Sequence, residues 1–212
     1  MNIPVELEKY ILESIGAEDP LLKELDRETH IKLVRPRMIS GHLQGKILTM
    51  FSKMIRPANI LEIGTFTGYS AICLAKGLQA GGKLVTIEID DELQGFAEKY
   101  FKKAGLADRI EQKIGSALEI IPQLQETFEL VFLDADKKEY PEYYHLVFDK
   151  VVPGGYIIAD NTLWDGKVIE PLGPKDDQTK GILQFNELIA SDNRVEKVIL
   201  PVRDGITILR KI

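Results

Sequence analysis

The sequence predicts an α/β fold in which a mostly parallel, seven-stranded sheet has helices on both faces. Strand and helix patterns alternate from Asn59 onward, and an antiparallel hairpin follows near the carboxyl end. Additional helical patterns precede the first strand. Alternation of strands with helices favours a parallel sheet, because each crossover helix returns the chain to the same edge.

The first 35 residues are predicted to form two amphipathic helices. Leu7, Ile11 and Ile15 recur at helical spacing in the first of them. Asp19 and Pro20 then supply an N-cap and a proline at the first helical position of the second.

A third helix is predicted between Pro36 and Pro57, since proline disrupts a helix interior. Ser40 is expected to cap it. Its apolar residues Leu43, Ile47, Phe51 and Met54 are predicted to form one stripe.

The alternating region supplies the parallel part of the sheet. Strands are predicted at residues 60–63, 84–89, 110–114, 130–133 and 156–159, with helices at 70–78, 92–104, 118–124 and 143–151 between them. A loop rich in Gly, Pro and charge covers residues 164–177, and a helix is predicted at 179–190. Strands 195–202 and 206–209 then form a hairpin whose turn is Asp204-Gly205.

Length and composition predict a single domain. The 212 residues, 44% of them hydrophobic, suffice for one core, with residues 1–57 as a helical cap and 58–212 as the α/β core. The single cysteine, Cys73, excludes an intrachain disulfide and favours a reducing compartment. Without a signal-peptide pattern or a membrane-length apolar run, the expected location is cytoplasmic, with no membrane partner.

The net charge of −6 argues against broad, nonspecific nucleic-acid binding. One stretch, from Lys32 to Arg56, is locally basic, because it carries six positive charges and no acidic residue. A solvated face or a dimer surface explains such a stretch, and so does a binding site for an anionic substrate or RNA.

Side chains with oxygen atoms follow directly after two predicted strands. Asp134 follows the apolar run 128–133, and Asp160-Asn161 follows the run 155–159. A crossover helix fits between the two strands, so both carboxylates are expected at the carboxyl edge of the sheet, where such folds bind ligands. Carboxylate and amide oxygens suit hard cations, so a metal site is predicted there. A turn at Asp160-Asn161 and a surface role for Lys137 are the plainer alternatives, but neither explains both strand ends.

Glycines open the loop after the first strand of the sheet. Gly64 and Gly68 allow backbone N–H groups to approach a ligand closely. Glu88 ends the second strand, where a carboxylate can accept hydrogen bonds from a ribose diol. The glycine spacing does not match the dinucleotide-binding or Walker patterns, which disfavours a nicotinamide-dependent dehydrogenase.

The pattern Glu-x-Gly-x-x-x-Gly at residues 62–68, together with Glu88, resembles the class I S-adenosylmethionine methyltransferases. Within that class, Asp-Ala-Asp-Lys at 134–137 and Asp-Asn-Thr-Leu-Trp-Asp-Gly-Lys-Val at 160–168 resemble the cation-dependent O-methyltransferases. This group includes catechol and caffeoyl-CoA O-methyltransferases, and a bacterial type is expected. The resemblance covers nearly the whole chain and implies the Rossmann-like class I methyltransferase fold.

The resemblance also implies roles for individual residues. It implies a divalent cation, Mg²⁺ with Ca²⁺ or Mn²⁺ as alternatives, bound by Asp134, Asp160 and Asn161. Lys137 matches the general base, with Asp134 beside it in the catalytic group. The implied contacts to S-adenosylmethionine are Met38, Glu62, Gly64, Ser70, Glu88, Ala117 and Asp134. Ala135 and Asp136 replace bulkier residues of the animal catechol enzyme, so its substrate shape does not transfer.

The expected reaction is methyl transfer to a hydroxyl of a small vicinal dihydroxyphenol. Three protein oxygens leave about three places in an octahedral Mg²⁺ shell, which suits two neighbouring hydroxyl oxygens and a water. Methylation of 5-hydroxyuridine at the tRNA wobble position is the alternative that the basic stretch supports. The expected assembly is a homodimer formed through the N-terminal helices.

Overall fold

A seven-stranded sheet forms the centre of the computed structural model, which describes residues 4–212. The strands are β1 (Asn59–Ile63), β2 (Lys83–Glu88), β3 (Ile110–Ile114), β4 (Phe128–Leu133), β5 (Val151–Ala159), β6 (Val195–Leu200) and β7 (Ile206–Lys211). They lie in the order β3-β2-β1-β4-β5-β7-β6. Strands β1 to β5 pair in parallel, whereas β7 pairs antiparallel with β5 and β6. The predicted fold class is confirmed.

Eight α-helices surround this sheet in the described part of the chain. They are α1 (Val5–Ser14), α2 (Pro20–Lys32), α3 (Gly41–Ile55), α4 (Tyr69–Ala75), α5 (Gln94–Lys103), α6 (Ala117–Ile120), α7 (Tyr140–Phe148) and α8 (Asp177–Ser191). Two apolar clusters, one on each face of the sheet, form the core. Tyr144 and Phe185 join α7 and α8 in one cluster, while Tyr69 and Leu48 join α4 and α3 in the other.

The N-terminal helices differ in how well the sequence predicted them. The Asp19 side chain accepts a hydrogen bond from Leu21 N at 3.0 Å, so the predicted cap of α2 is confirmed. The predicted Ser40 cap of α3 is wrong, because the Ser40 side chain makes no capping hydrogen bond.

Part of the predicted apolar stripe of α3 reaches the core, since Ile47 and Phe51 are half-buried against it. Met54 is 73% exposed. The buried residues of α3 are Gln44, Gly45, Leu48 and Ser52. At Gly45 a Cβ atom would lie 2.6 Å from the Tyr69 ring, so α3 approaches α4 through its small residues. The apolar stripe therefore lies beside the contact face.

Two boundaries near the carboxyl end differ from the prediction. The helix predicted at 143–151 ends at Phe148, and Val151 already pairs with Phe128 in the sheet. The predicted antiparallel hairpin is confirmed, but its connection covers residues 201–205 rather than a two-residue turn. Arg203 adopts the left-handed conformation there, with φ 51°.

Among residues 4–212, no helix is both long and apolar enough to cross a bilayer. The longest helices, α3 and α8, have 15 residues each. About 20 apolar residues are needed for a helical span.

Candidate active site

A cavity of about 870 Å³ opens at the carboxyl edge of the parallel strands. Its walls come from the loops after β1, β2, β3, β4 and β5, and from the segment before α3. The predicted site residues on its surface are Met38, Gly64, Ser70, Glu88, Ala117, Asp134, Lys137, Asp160 and Asn161. Glu62 is fully buried and is not part of the cavity surface. The strands thus gather nearly all of the predicted residues at one place.

Hydrogen bonds between strand ends place the two carboxylates side by side. Leu133 and Ala159 are register partners in β4 and β5, so Asp134 and Asp160 leave the sheet together. Asp160 N donates to Leu133 O at 2.9 Å. Burial raises the pKa of Asp134, Lys137 opposes this shift, and the charge of Asp160 adds to it. A cation at this edge would relieve the repulsion between the two carboxylates.

Lys137 is a buried lysine directed at this carboxylate pair. Its Nζ atom donates to Asp134 Oδ1 at 2.8 Å, and the residue is only 6% exposed. The same Nζ lies 4.9 Å from the centroid of the Tyr140 ring. The Tyr140 hydroxyl donates to Leu133 O and Asp160 O, both at 3.0 Å. Tyr140 therefore bridges the ends of β4 and β5, which precede the two carboxylates.

Two further residues of the site escaped the sequence analysis. Gln44 of α3 donates through Nε2 to Asp160 Oδ2 at 2.7 Å. Its Oε1 atom accepts a hydrogen bond from Arg203 Nη1 at 2.5 Å. Arg203 Nη1 also donates to the carbonyl of Ser40, so the β6–β7 connection is joined to the segment before α3. Gln44 lay within a predicted helix, but no sequence pattern connected it to a strand end 116 residues away.

The donor set fits a hard divalent cation. Asp134, Asp160 and Asn161 supply carboxylate and amide oxygens, which Mg²⁺, Ca²⁺ and Mn²⁺ accept as ligands. Asp160 is fixed through Oδ2 by Gln44 and through Oδ1 by Asn161 N at 2.8 Å. Among residues 4–212 no three His, Cys, Asp or Glu side chains are grouped to hold a metal, so the amide of Asn161 is needed to complete the set.

The other end of the cavity suits a nucleoside. Glu88 Oε2 accepts from Phe66 N at 2.7 Å, and Oε1 accepts from Asp90 N at 3.0 Å. These bonds orient the carboxylate and leave lone pairs for the two hydroxyls of a ribose. Gly64 has φ +100°, and a Cβ there would lie 2.2 Å from Asp134 O, so only glycine fits between the ends of β1 and β4.

Glu62 belongs to β1 and lies two residues before Gly64. Thr86 Oγ1 donates to Glu62 Oε2 at 2.5 Å. Burial raises the pKa of Glu62 to about 8, the Ser70 and Thr86 hydroxyls oppose the shift, and the charges of Asp134 and Glu88 add to it. Glu62 Oε1 accepts no hydrogen bond of normal geometry within the described residues. A positive charge on a ligand bound in the cavity would favour the ionised form of this buried carboxyl.

The raised pKa of Glu62 predicts a pH-dependent stability in protein free of ligand. Between pH 4.5 and about 8 the folded state keeps a proton that the unfolded state releases. The free energy of unfolding should therefore fall as the pH rises through this window, by up to about 1.4 kcal/mol per pH unit. Thermal unfolding of wild type and Glu62→Gln across this window measures the difference. If the stability of wild type and of Glu62→Gln changes equally with pH, the raised pKa of Glu62 is contradicted.

Comparison with known proteins defines the family. The O-methyltransferase family model matches residues 13–212. The chain belongs to the O-methyltransferase family. This O-methyltransferase is 37% identical to caffeoyl-CoA O-methyltransferase 5 of Nicotiana tabacum, over 97% of this chain and 91% of the relative. It is 38% identical to the caffeoyl-CoA O-methyltransferase of Eucalyptus gunnii, over 97% and 87% of the two chains.

Solved structures agree with this assignment. An O-methyltransferase from Bacillus cereus, in complex with SAH, superposes with a TM-score of 0.91 at 32% identity and covers 98% and 97% of the two chains. TomG from Streptomyces achromogenes, in complex with SAM, gives a TM-score of 0.90 at 32% identity and covers 97% and 96%. The predicted family, enzyme class and fold of this O-methyltransferase are confirmed. The roles of the individual site residues remain predictions.

Proposed function

We propose that the enzyme transfers a methyl group from S-adenosylmethionine to one hydroxyl of a vicinal dihydroxyphenol, with a divalent cation held by Asp134, Asp160 and Asn161. The observation that carries this proposal is the buried Lys137 Nζ beside a pair of adjacent carboxylates in one cavity. Relatives named as caffeoyl-CoA O-methyltransferases support the phenolic acceptor. Solved relatives in complex with SAH and SAM support the cofactor.

Each residue has a distinct task in this proposal. Glu88 orients the ribose, and Gly64 and Ser70 border the methionine part of the cofactor. A bound divalent cation would supply positive charge that favours ionisation of a phenol whose free pKa is about 10. Lys137 Nζ accepts the acceptor's hydroxyl proton, while the phenol oxygen forms its new bond to the methyl carbon and the sulfur leaves with the bonding electron pair.

The charge at the cavity rim favours an acceptor with an anionic group. Arg35 and Arg37 of the basic stretch line the cavity, whereas Lys32 is paired with Glu28 at 2.7 Å. A carboxylate such as that of caffeic acid would complement the two arginines. The comparisons give no support to tRNA as the acceptor, so that alternative is not retained.

The arrangement of hydroxyls on the acceptor tests this proposal. Caffeic acid and 3,5-dihydroxycinnamic acid have the same charge and size, but only caffeic acid has neighbouring hydroxyls. We expect methyl transfer to caffeic acid and little to its isomer, because two neighbouring oxygens suit one cation. Equal kcat/KM values for the two acids would contradict the proposed acceptor class.

We also propose that two copies of the chain associate through the N-terminal helices. Helix α1 buries none of its residues, and Leu7 and Tyr10, three positions apart on one face, are 46% and 67% exposed. An exposed apolar helix face of this kind is typical of a surface that another chain covers. Light scattering should give a dimer for the wild type and a larger monomer fraction for Tyr10→Lys. A wild-type protein that is monomeric at micromolar concentration would contradict the proposal.

A further inference from the structure

The first turns of α8 pack directly against the segment that carries Lys137. Gly181 of α8 is buried, and a Cβ atom there would lie 2.4 Å from Lys137 O and 2.4 Å from Lys138 Cα. Both neighbours are backbone atoms, so they cannot move aside as the end of a flexible side chain can. Since protein interiors are close-packed, any side chain at position 181 must displace the segment or the helix.

Gln178, one turn earlier in α8, holds the same segment by two hydrogen bonds. Its Oε1 atom accepts from Lys137 N at 3.0 Å, and its Nε2 atom donates to Asp136 Oδ1 at 2.7 Å. The helix start is itself fixed, because Asp176 caps it by accepting from Thr179 N at 3.1 Å. The backbone of Lys137 is therefore held between a fixed helix and the end of β4.

We propose that Gln178 and Gly181 are positioning residues that set the place of Lys137 Nζ. This inference rests on the proposed role of Lys137 as the base. Nζ lies 2.8 Å from Asp134 Oδ1, so a shift of the Lys137 backbone would change the position of Nζ relative to the carboxylates. A misplacement of about 1 Å at a reacting group can cost roughly 10²-fold in rate, because the reacting atoms must meet in a narrow range of geometry.

The glycine contact is tested by two matched substitutions. Gly181→Ala introduces the clashing methyl group, whereas Gly95→Ala introduces a methyl group into α5, where only the backbone of its own helix is near. With caffeic acid, S-adenosylmethionine and Mg²⁺, Gly181→Ala should lower kcat by about 10- to 100-fold. The KM for caffeic acid and the Kd for S-adenosylmethionine should stay near wild type. Gly95→Ala should keep the wild-type kcat.

The two hydrogen bonds of Gln178 are tested by a pair of substitutions. Gln178→Glu keeps an acceptor for Lys137 N but loses the donor to Asp136, and Gln178→Leu loses both. Because Gln178→Glu also places a second carboxylate against Asp136, kcat should fall below wild type in both variants. A variant that is merely less stable would show a lower Tm without this loss of kcat.

Hydrogen–deuterium exchange supplies a readout that does not depend on activity. The amide of Lys137 donates to Gln178, so the peptide covering residues 134–140 should exchange faster in Gln178→Leu and Gly181→Ala than in wild type or Gly95→Ala. Unchanged exchange, or an unchanged kcat in Gly181→Ala, would overturn the positioning role. If Lys137→Met keeps activity while exchange responds as expected, the assignment of Lys137 as the base is what fails.

Discussion

Replacement of Lys137 by methionine is expected to lower kcat by about 10² to 10⁴, the usual contribution of a positioned acid–base group. The reason is the setting of Nζ, which is buried, bonded to Asp134 Oδ1 at 2.8 Å and close to the Tyr140 ring. Methionine preserves the length and the apolar stem of the side chain but has no amine to take a proton. Steady-state kinetics with caffeic acid and calorimetric titration with S-adenosylmethionine measure the effect.

The neighbouring lysine provides the control for this experiment. Lys138 also borders the cavity, but its side chain is 51% exposed and is paired with Asp136 at 3.0 Å. Lys138→Met should leave kcat within a few-fold of wild type, and neither variant should change the Kd for S-adenosylmethionine. If Lys137→Met and Lys138→Met have equal kcat values, Lys137 is not the base.

Asp160→Ala is expected to abolish metal-dependent transfer and to leave cofactor binding largely intact. Asp160 is 4% exposed, and both of its carboxylate oxygens are fixed by neighbouring groups. Its removal takes away one of three proposed cation ligands and leaves the buried Gln44 amide without its acceptor, which costs about 1 to 3 kcal/mol of stability. Binding of Mn²⁺, followed by electron paramagnetic resonance, should weaken together with the loss of transfer.

An exposed carboxylate on α8 serves as the comparison for Asp160. Asp177→Ala removes the same charge from an exposed position at the start of α8, so it should leave Mn²⁺ affinity and transfer unchanged. An Asp160→Ala protein that binds Mn²⁺ and methylates caffeic acid as wild type does would remove Asp160 from the metal site.

The placement of two carboxylates at one edge of the sheet was predictable, because it depends on local sequence patterns. Asp134 and Asp160 each follow an apolar run, and parallel strands joined by a crossover helix bring such ends together. The structure confirms this adjacency, since Leu133 and Ala159 pair directly. The glycine turn after β1 was also predictable, but Gly64 lacks a Cβ atom because the Asp134 backbone lies against it, whereas the sequence analysis gave ligand approach as the reason.

Contacts between distant helices and strand ends were not predictable from periodicity. The contact face of α3 contains Gln44 and Ser52, whose polar groups bond to Asp160 and to Leu74 O at 2.7 and 2.6 Å. A hydrophobic pattern assigns such residues to the surface, because it cannot show that a distant partner satisfies them. Gly181 is likewise an ordinary helical glycine in the sequence, and only the packing of α8 against Lys137 shows why it is small.

The account is tested most directly by transfer of label from methyl-labelled S-adenosylmethionine to caffeic acid, with Mg²⁺, with EDTA, and with Mg²⁺ restored after EDTA. Asp134, Asp160 and Asn161 predict label in the methylated acid with Mg²⁺, none with EDTA, and recovery when Mg²⁺ is restored. Equal labelling in the presence of EDTA would contradict the role of the cation, and no labelling under any of the three conditions would contradict caffeic acid as an acceptor.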